Sequence, residues 1–257
     1  MIKFFRHIRK KHMEKGKTTK YFKYAIGEII LVVIGILIAL SINNWNEDRK
    51  LENSKQKLML NLKQEFQTNK RTLERHLLGL HKNNSQLNKV INYSAGTLEL
   101  PIDSIKLYAS KLFYSTTLSM LNSVQEEAIS AGKFELLSDS LKLALSVLKD
   151  YSKSREDISK NLDQITLNGN SEVTDLILNL SAFQNVNEVF YVQPPTSIHP
   201  DFIKSDAEFI NLIRSSKTYA ILHQLYSLSE LDEVWIKYGL LRLTSGSIDL
   251  IDKELKN

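Results

Sequence analysis

No cysteine occurs among the 257 residues, which removes disulfides, thiolate nucleophiles, cysteine-ligated metals and an acylated lipoprotein anchor from consideration. Proline and glycine are scarce, at four and nine. Three of the prolines, Pro194, Pro195 and Pro200, stand close together, so most of the chain holds nothing that would break a helix. Strand-like alternation and turn dipeptides at short, regular spacing are missing as well, and an all-α chain is expected. The histidines, His7, His12, His76, His81, His199 and His223, include no i, i+4 pair, and none stands in sequence beside the paired carboxylates that a metal site or a general base needs. Serine and threonine are abundant, yet no nucleophile-elbow or phosphate-loop pattern occurs. Neither enzymatic activity nor a cofactor or metal is expected. Glu126 and Glu127, and the acidic group Glu230, Asp232 and Glu233, read as solvated faces or caps.

What is present first is an apolar run, AIGEIILVVIGILIALSI, over residues 25–42. At about 1.5 Å per residue it reaches the short end of the roughly 17–25 residues needed to cross a bilayer. Tyr21, Phe22 and Tyr24 precede it and Trp45 follows, where interfacial aromatics anchor a span. Ala39 and Ser41 are small and two apart, as signal cleavage requires, but the run exceeds an h-region of about 7–15 residues, so a retained span is expected. Glu28 sits about one turn inside the run. Its leading reading is snorkelling toward headgroups, Lys20 or Lys23, and its second is a polar contact with a partner helix. Gly27, Gly35 and Ala39, with Leu31 between, step by four residues along one face. Small side chains there let a second helix approach, so self-association or partner packing is the functional reading of that face.

Residues 1–24 carry nine lysines and arginines against one acid, Glu14, whereas residues 43–62 hold four bases mixed with Glu47, Asp48 and Glu52. By the positive-inside rule the N-terminus faces the cytoplasm and the chain beyond Trp45 is exported. The net charge of +5 is a property of that tail, since the remainder holds 25 bases against 28 acids. No nucleic-acid surface is implied. Lys3, Arg6, Arg9, Lys10 and Lys11 read as a topology signal and a contact for anionic lipid headgroups. The expected organisation is a basic cytoplasmic tail over 1–24, a transmembrane helix over 25–42 and a periplasmic helical domain over 43–257.

In that domain Leu51, Leu58, Leu62, Phe66, Leu73, Leu77, Leu80, Leu87 and Val90 recur at helical spacing and predict one long helix from Trp45 to about Tyr93, with a break at Asn83 and Asn84. Turn chemistry at 94–101 includes Gly96. A second helical region follows over 102–131, interrupted at 118–123. Ser123 and Glu126 match a capping box and Gly132 suits the end. A third begins near Ser138, carries Leu141, Leu145, Leu148, Tyr151, Ile158, Leu162 and Ile165, and runs toward Leu180 with a kink at Gly169. The last, from about Ser205 to Leu255, is interrupted at Ser215 and Ser216 and shows Leu231, Val234, Tyr238, Leu241, Ser245 and Ile248 at coiled-coil-like spacing. Four such regions pack most simply as an elongated antiparallel bundle of about four helical regions.

The stretches IKFFRHIRKK and YAIGEIILVVIGILIALSINNWNE resemble the opening of a family of uncharacterised single-span proteins of Bacteroidota-type bacteria, a domain of unknown function. The likeness is close over residues 2–50 and looser beyond, where EEAISAGKFELLSDSLKLAL carries it. The resemblance implies an inner-membrane protein with a periplasmic helical domain and brings no activity, ligand or partner.

Function is therefore sought in binding. The segment FYVQPPTSIHPDF is the least helix-like and most aromatic in the chain, and Phe190, Tyr191, Pro194, Pro195, His199 and Phe202 are its candidate recognition residues, unless its aromatics merely cap the bundle. An interaction or adaptor module is the leading reading. A sensor of a small molecule or of envelope state, signalling through a partner protein, is the second, and an envelope scaffold the third.

Overall fold

A computed structural model describes residues 18–109, 118–166, 179–180 and 205–256. Among the described residues all regular structure is helical. Helix α1 is Thr18–Ser94, α2 is Ile102–Ala109, α3 is Ser123–Ser130, and a short 3-10 turn covers Lys133–Leu136. Helix α4 is Asp139–Thr166, α5 is Asp206–Ile213 and α6 is Ser216–Val234; a π-helical turn, Trp235–Leu240, leads into α7, Leu241–Glu254. Contacts divide the chain into two units, Met1–Lys57 and Leu58–Asn257.

In the first unit the aliphatic side chains from Ile26 to Ile42 are 47–63% exposed. An 18-residue window of α1 has a mean hydropathy of 2.8, with none of it buried, which is long and apolar enough to cross a membrane. Trp45 is also exposed, with the Arg49 guanidinium 5.3 Å from its ring centre.

The second unit has two apolar cores. One gathers Leu58, Leu62, Phe66, Leu73 and Leu80 of α1, Leu141, Leu145 and Leu148 of α4, and Ile236, Leu240 and Ile251. The other gathers Leu87, Val90 and Ile91 of α1, Leu162 of α4, and Phe209, Ile213, Leu222 and Leu225 of α5 and α6. Helices α1 and α4 pass from the first core to the second, and the final helical stretch traverses them in the opposite order. Of the expected α1 stripe Leu77 is half-buried and Leu51 exposed; the other members are buried.

Helix ends follow local chemistry. After Ser94 the chain turns through Gly96, whose φ of +73° suits glycine. Gly132, at +66°, ends α3 in the same way. Ser205 and Glu208 form a complete capping box on α5, and Ser215 caps α6 by accepting from the Thr218 amide.

Three details depart from the sequence reading. Helix α1 has no break at Asn83 and Asn84, because Asn84 turns inward and finds polar partners. Ser123 is not the cap of α3: the N-cap is Asn122, and the Ser123 hydroxyl donates to Glu65 at 3.3 Å. The Glu65 carboxylate also accepts the Val124 amide at 2.8 Å, so α3 is capped from α1. Leu231, Val234 and Tyr238 are exposed, and the buried line is instead Leu225, Ser229, Asp232, Ile236, Leu240, Thr244, Ser247 and Ile251. Three successive steps of four within that line would drift about 40° each on a 3.6-residue helix, and the wider π turn absorbs the drift. The kink expected at Gly169 lies outside the described residues.

Candidate functional site

Buried polar side chains collect where the two cores meet. In α1, Asn84 falls between Leu80 of one core and Leu87 of the other; in α4, Arg155 falls between Leu148 and Leu162. In α6, Ser229 and Asp232 fall between Leu225 and Ile236. Each helix thus contributes a polar position at the same level, and the positions are mutually satisfied.

Arg155 meets Asp232 in a two-pronged ion pair, Nε to Oδ1 and Nη2 to Oδ2, both at 2.8 Å. Their side chains are 5% and 0% exposed, so the pair persists only because each charge is matched and oriented by the other. His76 Nε2 lies 3.4 Å from Arg155 Nη2. A guanidinium can only donate, so this nitrogen accepts and the imidazole is neutral. Burial and the Arg155 charge hold the His76 pKa below its ordinary value, with Asp232 opposing them.

A second cluster adjoins the first. The Ser229 hydroxyl donates to Asn84 Oδ1 at 2.5 Å, and the Asn84 amide donates to Glu233 Oε2 at 2.7 Å and to the Ser229 carbonyl at 3.4 Å. The other Glu233 oxygen is 2.9 Å from His81 Nδ1. The π turn begins two residues after Glu233. Its Trp235 indole donates to the Tyr151 carbonyl at 3.1 Å and stacks on the Tyr151 ring at 5.1 Å. A Cβ added to Gly239 would lie 2.9 Å from Tyr151 Cδ1, so glycine is what lets that ring lie against the helix.

A groove of about 730 Å³ opens beside this layer, lined among others by His81, Asn88, Lys89, Glu230, Lys237 and Tyr238. On its wall the Tyr226 hydroxyl donates to Glu230 at 2.6 Å, a bond that raises the Tyr226 pKa. Chemically the layer is closed. Both Asp232 oxygens are engaged by Arg155. Among the described residues no group of three or more His, Asp or Glu side chains is arranged to hold a metal ion.

The sequence-derived candidates fare unevenly. Gly27, Gly35 and Ala39 are exposed on α1, and a Cβ added at either glycine meets nothing within 4 Å. Glu28 is half-buried. The loop residues Phe190, Tyr191, Pro194, Pro195, His199 and Phe202, and the tail residues Lys3, Arg6, Arg9, Lys10 and Lys11, lie outside the described residues. Reading Asp232 and Glu233 as solvated is corrected, since Asp232 is fully buried and the Glu233 side chain is 20% exposed. The sequence places no histidine beside paired carboxylates; in space a single carboxylate, Glu233, reaches His81 across 152 residues of chain.

Comparison with known proteins adds one relation. A model described as a family of unknown function, DUF6090, matches residues 28–215. No curated protein and no solved structure matches the chain.

Proposed function

The chain belongs to the family of unknown function DUF6090, and from that premise we propose that it is a membrane-anchored helical interaction module with no catalysis of its own. Its N-terminal tail is cytoplasmic, residues 25–42 span the inner membrane once, and residues 43–257 form a periplasmic domain of antiparallel helices. The observation that carries this reading is α1 itself. One helix holds an apolar run with exposed side chains and, further along, the core residues from Leu58 to Val90. An apolar stretch of that length left uncovered is unfavourable in water and favourable in a bilayer. The basic residues before it support the orientation, and the opposite order in which α1 and the last helices cross the two cores supports the antiparallel packing. Titratable groups in the polar layer are spent on one another, which favours a recognition role over chemistry.

The absence of cysteine makes the test clean. Single variants Lys17→Cys and Lys160→Cys are exposed to a membrane-impermeant maleimide in cells with a permeabilised outer envelope. Labelling at 160 alone is expected, with the protein retained in membranes after alkaline washing. Labelling at 17, or release by the wash, overturns the placement. Crosslinking of the full chain in its membranes, followed by mass spectrometry, is expected to yield a stoichiometric second protein.

The groove beside the polar layer favours a second reading, a ligand sensor that signals through a partner subunit. A small molecule retained on the full chain in native mass spectrometry, with no partner protein, would select it.

A further inference from the structure

We propose that His76, Arg155 and Asp232 form an acid-sensitive latch that ties α1 to α4 and α6 beside the junction of the two apolar cores, closed while His76 is neutral and released when it takes up a proton. The device belongs to residues 58–257 and does not depend on the membrane placement.

The latch follows from the charges that meet at this level. From α4 comes the Arg155 guanidinium, and from α6 the Asp232 carboxylate, joined by two bonds of 2.8 Å. From α1 comes His76, accepting from the same guanidinium. With His76 neutral the three groups sum to zero. A proton on His76 leaves two cations against one anion, at a level flanked along each helix by apolar side chains, and turns the Arg155 contact from a hydrogen bond into a repulsion. The neighbouring anion offers little relief, because Arg155 already occupies both Asp232 oxygens. Glu233 is turned to Asn84 and His81. His81 is a contrast, since its side chain is 74% exposed and a proton there faces a carboxylate.

The sign of the effect is fixed. Burial and the Arg155 charge keep the folded-state pKa of His76 below the ordinary histidine value of about 6.5, so the open or unfolded chain binds the proton more readily. Latch stability is complete above about pH 6.5 and declines as the pH falls toward the lowered value. For one proton, the opening equilibrium gains up to about tenfold per pH unit across that interval. The part released is the start of the π turn, where Trp235 leans on Tyr151.

The chain has two tryptophans, so a Trp45→Phe background of the full protein in mild detergent leaves Trp235 as the reporter. Lowering the pH from 8 to 5.5 is expected to produce a reversible change in Trp235 emission. Adding His76→Gln, which still accepts from Arg155 but does not titrate, is expected to abolish it, and His81→Gln to leave it in place. A change that survives His76→Gln, or none in the parent, overturns the latch. Should His76→Gln lose its helical signal at pH 8, amide exchange on the unsubstituted chain decides, after correction for the intrinsic pH dependence. Protection falling at 72–86 and 228–240 while 58–66 holds supports the proposal, and uniform loss or no loss refutes it.

Discussion

Arg155 and Asp232 are each tolerable inside the protein only because of the other. Replacing Arg155 by Leu leaves a buried carboxylate with no counter-charge, and the expected cost is about 3–5 kcal/mol in the denaturation free energy of the full chain. Replacing both, Arg155→Leu with Asp232→Leu, is expected to recover most of that loss, because the two leucines join apolar groups on either side. Equal destabilisation in the single and double variants would show that the ion pair is not what holds the layer. None of this was legible in sequence, where Asp232 stands between acidic neighbours and its partner is 77 residues away. Asn84 misled for a related reason. A polar residue in an apolar stripe reads as a fault in the helix, and only the facing Ser229 and Glu233 reveal it as a contact. The one available signal was positional: Asn84 continues the line of Leu73, Leu80 and Leu87, so an unbroken helix had to bury it.

At the level of elements, start and stop signals close in sequence were readable, because caps are made within a few residues. The helix start at Ser205, and the glycines at 96 and 132, are of this kind. The cap supplied to α3 by Glu65 was not, being a contact across 59 residues. The π turn was hidden for a different reason. The line that keeps a regular three-four spacing, Leu231, Val234 and Tyr238, is the more apolar one, yet it faces outward. The buried line is interrupted by Ser229, Asp232 and Thr244, and it stays in phase only through a wider turn. Gly239 tests that account. Alanine there would raise intrinsic helix propensity by about 1 kcal/mol, but its Cβ would press on a Tyr151 ring that is already stacked on Trp235. Overpacking of about 1–3 kcal/mol is expected to win, so Gly239→Ala should lower the thermal midpoint and alter Trp235 emission. A stabilised variant would mean that the ring swings away freely and that the stack has no structural weight.

For the molecule as a whole, the helical class and the apolar N-terminal run were plain from composition, since both depend on sums over many residues rather than on any contact. The division into two units was implicit in the same pattern. Every buried core side chain among the described residues lies at or beyond Leu58, and both apolar clusters are complete without the residues before it. The apolar run of α1 therefore contributes nothing that the cores require, and a chain of residues 43–257 is expected to fold without detergent. Removing the run also removes the exposed aliphatic surface that would otherwise drive aggregation. Circular dichroism of this shortened chain should show cooperative unfolding at the same denaturant midpoint as the full chain in detergent, with an undiminished slope, since the slope follows the surface exposed on unfolding. A lower midpoint would mean that the segment before residue 43 supports the second unit. Loss of cooperativity would mean that the two cores are joined by less than the polar layer suggests, and the Arg155–Asp232 pair would then be stabilising one core rather than coupling both.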